Sequence, residues 1–184
     1  MALAYIGLGS NLGDGRRNLL EAWRMIGERA GITVLALSSP YLTKPVVKES
    51  WVREGRQLSE KWFTNAVGVL ETNLAPHDLL AVLLDVEGRL GRDRQTTVDR
   101  TVDLDILYYD DLVCVDERLE LPHPGIKDRL FVLAPLEELA PDRVNPATGA
   151  TTRQMRRALP DGGGQNLRRL AWPDERPMQG DAET

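Results

Sequence analysis

Apolar and polar positions change period several times along this chain, and each change marks an element. Leu3 to Leu8 is a short apolar run ending in glycines, which predicts a buried strand. Gly9-Ser10-Asn11 and Gly13-Asp14-Gly15 form a turn. Leu19, Leu20, Trp23, Ile26 and Ala30 recur at helical spacing, with Gly31 as the stop. Ile32 to Ser39 is rich in β-branched and apolar residues and predicts a second strand. Pro40 and Pro45 bound a turn or irregular edge segment, and residues 46–61 are a mostly polar, long loop. Trp62 to Leu70 predicts a third strand. Pro76 suits a first helical turn, and Leu79, Leu83, Val86 and Leu90 extend the helix over 76–90. After a basic loop at 91–99, Thr101 to Tyr109 predicts a fourth strand. A hairpin around Asp110-Asp111, a proline-rich turn at 122–124 and helical pieces around 126–139 and 150–158 follow.

The order strand, helix, strand, strand, helix, strand is the ferredoxin-like pattern. Its α+β architecture packs helices on one face of an antiparallel sheet and leaves the other free for a site and long active-site loops. Residues 1–160 are expected to form the single domain. Gly162-Gly163-Gly164 and the polar end predict that 161–184 is a flexible extension.

Composition narrows the class. The chain has 184 residues, 42% hydrophobic and 28% charged, enough for one domain with a real core. Its net charge of −5 argues against a nucleic-acid partner. Cys114 is the only cysteine, so neither an intrachain disulfide nor a cysteine metal cage can form. The N-terminus lacks a basic region followed by a long apolar one, and no apolar run approaches the roughly 18 residues that span a bilayer. The expectation is a cytoplasmic protein without a membrane partner, and a monomer, since no exposed apolar stripe demands a dimer.

The chemistry concentrates in the fourth strand. Val102, Leu104 and Ile106 alternate with Thr101, Asp103 and Asp105, so the two acids share a face opposite an apolar stripe. They lie about 7 Å apart along the strand. Hard oxygen donors at this spacing suit Mg²⁺, which often binds one or two carboxylates plus substrate phosphates. Two acids on a strand face are also often merely solvated; the neighbouring residues decide the balance. Arg89, Arg92, Arg94 and Arg100 lead directly into this strand, and guanidinium groups bind phosphate oxygens in a bidentate manner. Gly7 to Gly13 fails the dinucleotide fingerprint because Leu12 stands where the third glycine belongs, and no P-loop or protein-kinase signature is present. His123, between Pro122 and Pro124, either aims at a phosphate or packs a turn. Phe63, Asn65 and Phe131 are candidates for a planar ligand, against the commoner reading of both phenylalanines as core.

The ordered set carries a resemblance. Ala4 to Gly13, Ser38 to Pro45, Phe63-Thr64-Asn65-Ala66, Leu70-Glu71-Thr72, Gly91-Arg92-Asp93-Arg94, Arg100 to Leu107, and Leu121-Pro122-His123-Pro124 through Arg129 to Leu136 together resemble the 6-hydroxymethyl-7,8-dihydropterin pyrophosphokinase family of folate biosynthesis. The resemblance spans roughly residues 3–158. It implies a ferredoxin-like diphosphotransferase that passes pyrophosphate from ATP to the pterin hydroxymethyl group and releases AMP. It implies that Asp103 and Asp105 hold two Mg²⁺ ions, and that Arg92, Arg100, Asp103, Asp105 and His123 form the catalytic group. ATP would meet Glu87, Arg92, Arg94, Arg100, Arg118, His123 and Arg129. The pterin would meet Thr43, Pro45, Val46, Asn65 and the rings of Phe63 and Phe131. Two stretches depart from the family pattern. Thr96-Thr97-Val98-Asp99 lacks the Gly-Pro that usually precedes the arginine, and Asp99 adds negative charge beside the phosphate site. The loop 46–61 is longer than usual, with Trp51 or Trp62 as a lid aromatic. The rival readings are a non-catalytic binding module on the same fold and a simple phosphoryl kinase, which would release ADP.

Overall fold

A computed structural model of the chain describes residues 1–45, 61–92, 99–159 and 167–173. The elements are β1 (Ala2–Ser10), α1 (Gly15–Gly27), β2 (Ile32–Leu37), β3 (Tyr41–Thr43), β4 (Phe63–Thr72), α2 (Pro76–Arg89), β5 (Asp103–Tyr109), β6 (Cys114–Val115), β7 (Glu120–Leu121), α3 (Leu130–Leu139), α4 (Thr152–Ala158) and β8 (Leu167–Arg169). The main sheet is antiparallel with β1 at its centre, between β5 and β4. The far edge of β4 is shared. β2 pairs with its second half, β3 with Phe63 to Asn65, and β8 lies outside β3. This is the ferredoxin-like strand order with half of one edge widened by two short strands.

Alternation in the strands sorts two cores. Ala4, Ile6, Leu8, Ala66, Leu70, Leu104 and Ile106 face α1 and α2, packing on Leu19, Ile26, Leu79, Leu83 and Val86. Asp14 starts α1 by accepting from the backbone N–H groups of Arg16 and Arg17. The helix ends at Glu28, earlier than Gly31, whose φ of 79° turns the chain into β2 instead.

The opposite face is not left bare. Tyr5, Val67, Val69, Leu107 and Tyr108 pack against Val132, Leu133 and Leu136 of α3 and Met155 of α4. The alternation that places Asp103 and Asp105 does not hold to the far end of β5. The β1–β5 register shifts between Tyr5 and Ile6, so Tyr5 faces Tyr108 while Ile6 faces Ile106. The extra residue, Leu107, joins Tyr108 on the second face and supplies the apolar surface that α3 covers. Helices therefore lie on both faces, with α1 and α2 forming the expected single layer on one of them.

Three smaller expectations change. No hairpin forms across Asp110-Asp111. Asp110 instead takes φ 43°, and its Oδ1 accepts from Leu3 N, closing the start of β1. The hairpin lies further on, between β6 and β7. The helical piece near 126 begins at Leu130, because His123 to Ile126 is taken up by a tight turn with Ile126 N donating to His123 O (3.1 Å). Finally, residues 167–169 of the expected flexible extension form β8, since Leu167, Arg168 and Arg169 find the unpaired edge of β3.

Candidate active site

Toward the Phe63 end of β4 the second face leaves the apolar cluster packed under α3. Gly9 of β1 pairs with Asn65 on one side and Asp103 on the other, and Gly7 pairs with Val67 and Asp105. All these positions point to the same face. A Cβ on Gly9 would sit 3.3 Å from Asn65 Oδ1, and one on Gly7 would sit 3.2 Å from Leu107 Cδ2. The glycines thus make a floor without side chains, with Asn65 and Asp103 about 10 Å apart as its walls, two strand spacings away from each other.

Both acids project as the alternation requires, opposite Val102, Leu104 and Ile106. Asp103 is gripped by two guanidinium groups, an ion pair with Arg92 and one with Arg100 at 3.2 Å. Arg92 is itself set by Glu87, whose Oε1 accepts from Arg92 Nη1 (2.7 Å) and from Leu104 N (2.7 Å). Glu87 is 1% exposed. It joins α2, β5 and Arg92 from inside the protein, so any effect on a nucleotide runs through that arginine.

Asp105 has a different environment. Crowding by the surrounding protein and the negative charge of Asp103 push its pKa above the usual carboxylate range, against the pull of His123, Arg129 and Arg100. His123 Nε2 lies 3.9 Å from Asp105 Oδ2. Its backbone is held by a bond from His123 N to Leu107 O (3.0 Å), and its Nδ1 accepts from Gly125 N (3.0 Å). With Nδ1 used as an acceptor, the neutral ring carries its proton on Nε2, facing Asp105. Burial lowers the His123 pKa and so favours this neutral form, with Asp105 opposing.

The pterin-side candidates gather across the glycine floor. Asn65 Nδ2 donates to Thr43 Oγ1 (2.9 Å), and both residues are buried. Phe63 and Phe131 are neither sealed in a core nor free. Arg100 lies over the Phe63 ring at 5.4 Å, and Arg129 over the Phe131 ring at 5.8 Å. Gly125 makes room for this, since a Cβ there would lie 2.6 Å from Arg129 Cζ. Each ring expected to stack on a planar ligand is thus tied to an arginine expected to meet phosphate. Pro45 is half-buried, two residues beyond Thr43. Val46, Trp51 and Arg94 lie outside the described residues. Trp62 is exposed, with Lys44 Nζ 5.6 Å from its ring centroid.

Arg118 is set apart from this group. It sits in the β6–β7 turn, where its N–H caps Asp116, and Asp116 pairs with His77 at the start of α2 (3.0 Å). Among the described residues no hydrogen bond or ion pair links its side chain to the two acids. Sequence reasoning missed the part played by Asn11. Its Oδ1 accepts from Arg100 N (2.7 Å), its N–H donates to Arg100 O (3.1 Å), and its Nδ2 donates to Asp99 (2.7 Å). Asp99 also pairs with Lys61 (2.9 Å), so the extra charge of this unusual loop is largely spent locally.

A carboxylate pair facing arginines and a histidine fits a divalent cation. The observation that tests the fit is the donor set, two carboxylates on one strand face, one of them Asp105, whose pKa is raised first by burial and then by the charge of Asp103. Among the described residues no three or more His, Cys, Asp or Glu side chains form an all-protein metal cage. Water and phosphate oxygens would complete the coordination, as is usual for Mg²⁺.

The model of the 7,8-dihydro-6-hydroxymethylpterin-pyrophosphokinase family matches residues 5–141. The chain belongs to this family. It is 41% identical over 155 residues to 2-amino-4-hydroxy-6-hydroxymethyldihydropteridine pyrophosphokinase of Methylorubrum extorquens, covering 84% of this chain and 91% of that one. The Bacillus subtilis protein of the same name is 39% identical over 153 residues, covering 83% and 86%. Among solved structures, wild-type Plasmodium falciparum HPPK-DHPS with pteroate matches with a TM-score of 0.64 at 14% identity, covering 85% of this chain and 44% of that chain. That likeness supports the fold. Among the described residues no helix is long and apolar enough to cross a membrane.

Proposed function

We propose that this chain carries out the reaction of its family with the residues assembled above. The reaction is the transfer of pyrophosphate from ATP to the hydroxymethyl group of 6-hydroxymethyl-7,8-dihydropterin, giving AMP and the pterin diphosphate in folate biosynthesis. The observation that carries the assignment is the shared face: Asn65 on one side of a glycine floor, Asp103 and Asp105 on the other. A flat polar heterocycle and a polyphosphate can lie on that floor side by side.

Asp103 and Asp105 would hold Mg²⁺, two ions in this reading. The metal would supply charge neutralisation and alignment as the bond between the α and β phosphates breaks. The remaining work belongs to the protein. Arg92 and Arg100 exchange Asp103 for phosphate oxygens when the nucleotide enters, since their present partner is the carboxylate the cation would take. Glu87 keeps Arg92 aimed during that exchange. His123 offers its Nε2 proton to a phosphate oxygen from the other side of Asp105, and Arg129 adds positive charge nearby. Arg118 and Arg94 are assigned to more distant parts of ATP.

Asn65 reads the amide-like edge of the pterin, with Thr43 fixing its rotamer and Phe63 and Phe131 flanking the ring. The backbone at Thr43 and Pro45 closes the pocket rim, and Val46 is assigned to the pterin with them. The hydroxymethyl oxygen then attacks the β phosphorus directly, its proton passing to Asp103 or to water. Catalysis is positioning and electrostatic stabilisation, with no covalent enzyme intermediate. We place the reaction in the cytoplasm and assign it to a monomer.

The test is incubation with ATP, Mg²⁺ and the reduced pterin alcohol, followed by nucleotide analysis. AMP in equal amount to pterin diphosphate is the expected result. ADP would instead identify a phosphoryl kinase, and pterin binding without nucleotide consumption a binding module. Chelation of the metal is expected to stop turnover reversibly.

A further inference from the structure

β3 is three residues long, and it carries Thr43, the hydrogen-bond partner of Asn65, at the edge of the pterin pocket. A strand this short has little hold of its own. In this chain it is clamped from the outside by 167–173, which lies beyond the stretch the family model matches. Tyr41, Leu42 and Thr43 pair with Arg169, Arg168 and Leu167, and Leu170 N donates to Pro40 O (2.8 Å). Trp172 Nε1 donates to Ser38 O (3.0 Å), and Arg16 Nη1 to Ala171 O (3.2 Å).

A polar knot ties the same strand to α3. Glu138 Oε1 accepts from Ser39 N, Ser39 Oγ (both 3.0 Å) and Arg169 Nη2 (3.1 Å), while its Oε2 accepts from Tyr41 OH (3.0 Å). Arg169 Nε also donates to Ser39 Oγ (2.8 Å). Burial pushes the Glu138 pKa up, but the Ser39 and Tyr41 donors and Arg169 outweigh it and hold the carboxyl below its usual value. One guanidinium therefore links β8, the entry to β3, and α3, the helix that carries Phe131.

From this we infer that the 167–173 strap, through Arg169 and Trp172, is a positioning device that sets β3 and so tunes affinity for the pterin rather than for ATP. The phosphate-side groups Asp103, Asp105, Arg92 and Arg100 hang from β5 and the segments beside it, three strand spacings away across the sheet. Loosening β3 moves Thr43 and frees the Asn65 rotamer directly, and reaches those groups only through the Phe63 ring under Arg100. The inference rests on the assignment of the pterin to Asn65.

The full chain is tested as Arg169→Ala, Arg169→Lys and Trp172→Phe, beside Asn65→Ala as a control on the pocket itself. Arg169→Ala is expected to raise the KM for the pterin by about tenfold, the scale of one lost hydrogen bond, while the KM for ATP stays within about twofold. Arg169→Lys should recover part of the loss, and Trp172→Phe, which keeps an aromatic ring of smaller size and removes the donor, should show a smaller rise. Amide exchange at Tyr41 to Thr43 should speed up in Arg169→Ala. If Asn65→Ala raises the pterin KM but Arg169→Ala shifts neither substrate, or shifts both equally, the strap inference is wrong. If Asn65→Ala itself leaves the pterin KM unchanged, the pocket assignment fails and this inference falls with it; faster exchange in β3 would then report only a structural clamp.

Discussion

The second face of the sheet has two halves that share strands β1, β4 and β5 yet do opposite things. Toward one end, Tyr5, Val69, Leu107 and Tyr108 are sealed under α3. Toward the other, Gly9, Asn65, Asp103 and Asp105 stand at the same strand parity and lie outside that apolar cluster. What changes between the halves is side-chain chemistry, followed by cover. Apolar surface recruits α3, and polar or absent side chains leave room for a ligand. One half of the face therefore holds the protein together while the other does chemistry, and substitutions should separate stability from turnover accordingly.

The largest separation is expected at Asp105. Asp105→Ala should lower turnover by about 10³-fold, the scale of losing a metal-held or oriented transition-state charge. Its effect on stability should have the opposite sign. The folded state raises the pKa of Asp105, so ionising this group costs stability once pH exceeds its ordinary value. Without metal, Asp105→Ala should match the wild type in Tm at acid pH and equal or exceed it near neutrality. A variant with near wild-type turnover would end the metal assignment. One with a collapsed Tm would show that this half of the face also carries the fold.

On the covered half, Leu133 is fully buried among Leu107, Tyr108 and Leu136. Leu133→Ala should cost about 2–5 kcal/mol, lost transfer energy plus a cavity, measured by denaturant unfolding. Both KM values should stay near wild type in the fraction that remains folded. Loss of kinetic constants in parallel with stability would mean that α3 transmits packing directly to Phe131 and Arg129, and the two halves would not be separable.

Between these lies the glycine floor. Gly9→Ala adds a methyl 3.3 Å from Asn65 Oδ1, so the amide must move by a few tenths of an ångström. The expected outcome is a rise of about tenfold in the pterin KM with little change for ATP, on the principle that small displacements of a positioning group are costly. Equal effects on both substrates would place the pterin elsewhere.

How far these halves could be read in advance depends on how local their cause is. The acid pair was legible because period-two alternation fixes the faces of Asp103 and Asp105 whatever surrounds them. The α1 and α2 layer was legible because Leu79, Leu83 and Val86 repeat at helical spacing. Cover by α3 was not, since it depends on a register shift between β1 and β5, a long-range pairing that no single segment specifies. The roles of Asn11 and Glu87 were hidden for the same reason. Asn11 bonds to residues 88 and 89 positions away, and Glu87 turns a helix residue into the anchor of an arginine. Residues 167–169 looked like part of a polar tail because pairing with β3 needs only backbone groups, which leave no mark on composition.

The smallest effect is expected furthest from the acids. α2 has 14 residues and runs about 21 Å at 1.5 Å per residue, with the Glu87–Arg92 anchor at one end and His77 at the other. There His77 meets Asp116, whose carboxyl also accepts from Arg118 N and Leu119 N. Those two backbone bonds, outweighing slight burial and aided by His77, hold the Asp116 pKa below its ordinary value. A depressed carboxyl contributes stability that is complete above the ordinary carboxylate range and vanishes as pH falls through the folded value. Asp116→Asn keeps an acceptor for the N–H groups but removes the charge. It should lower Tm slightly near neutrality and not at all at strongly acid pH, with both KM values unchanged. A substantial rise in the KM for ATP would instead show that Arg118 depends on the charge of Asp116 to meet ATP, and would stretch the reactive half of the molecule along the whole of α2.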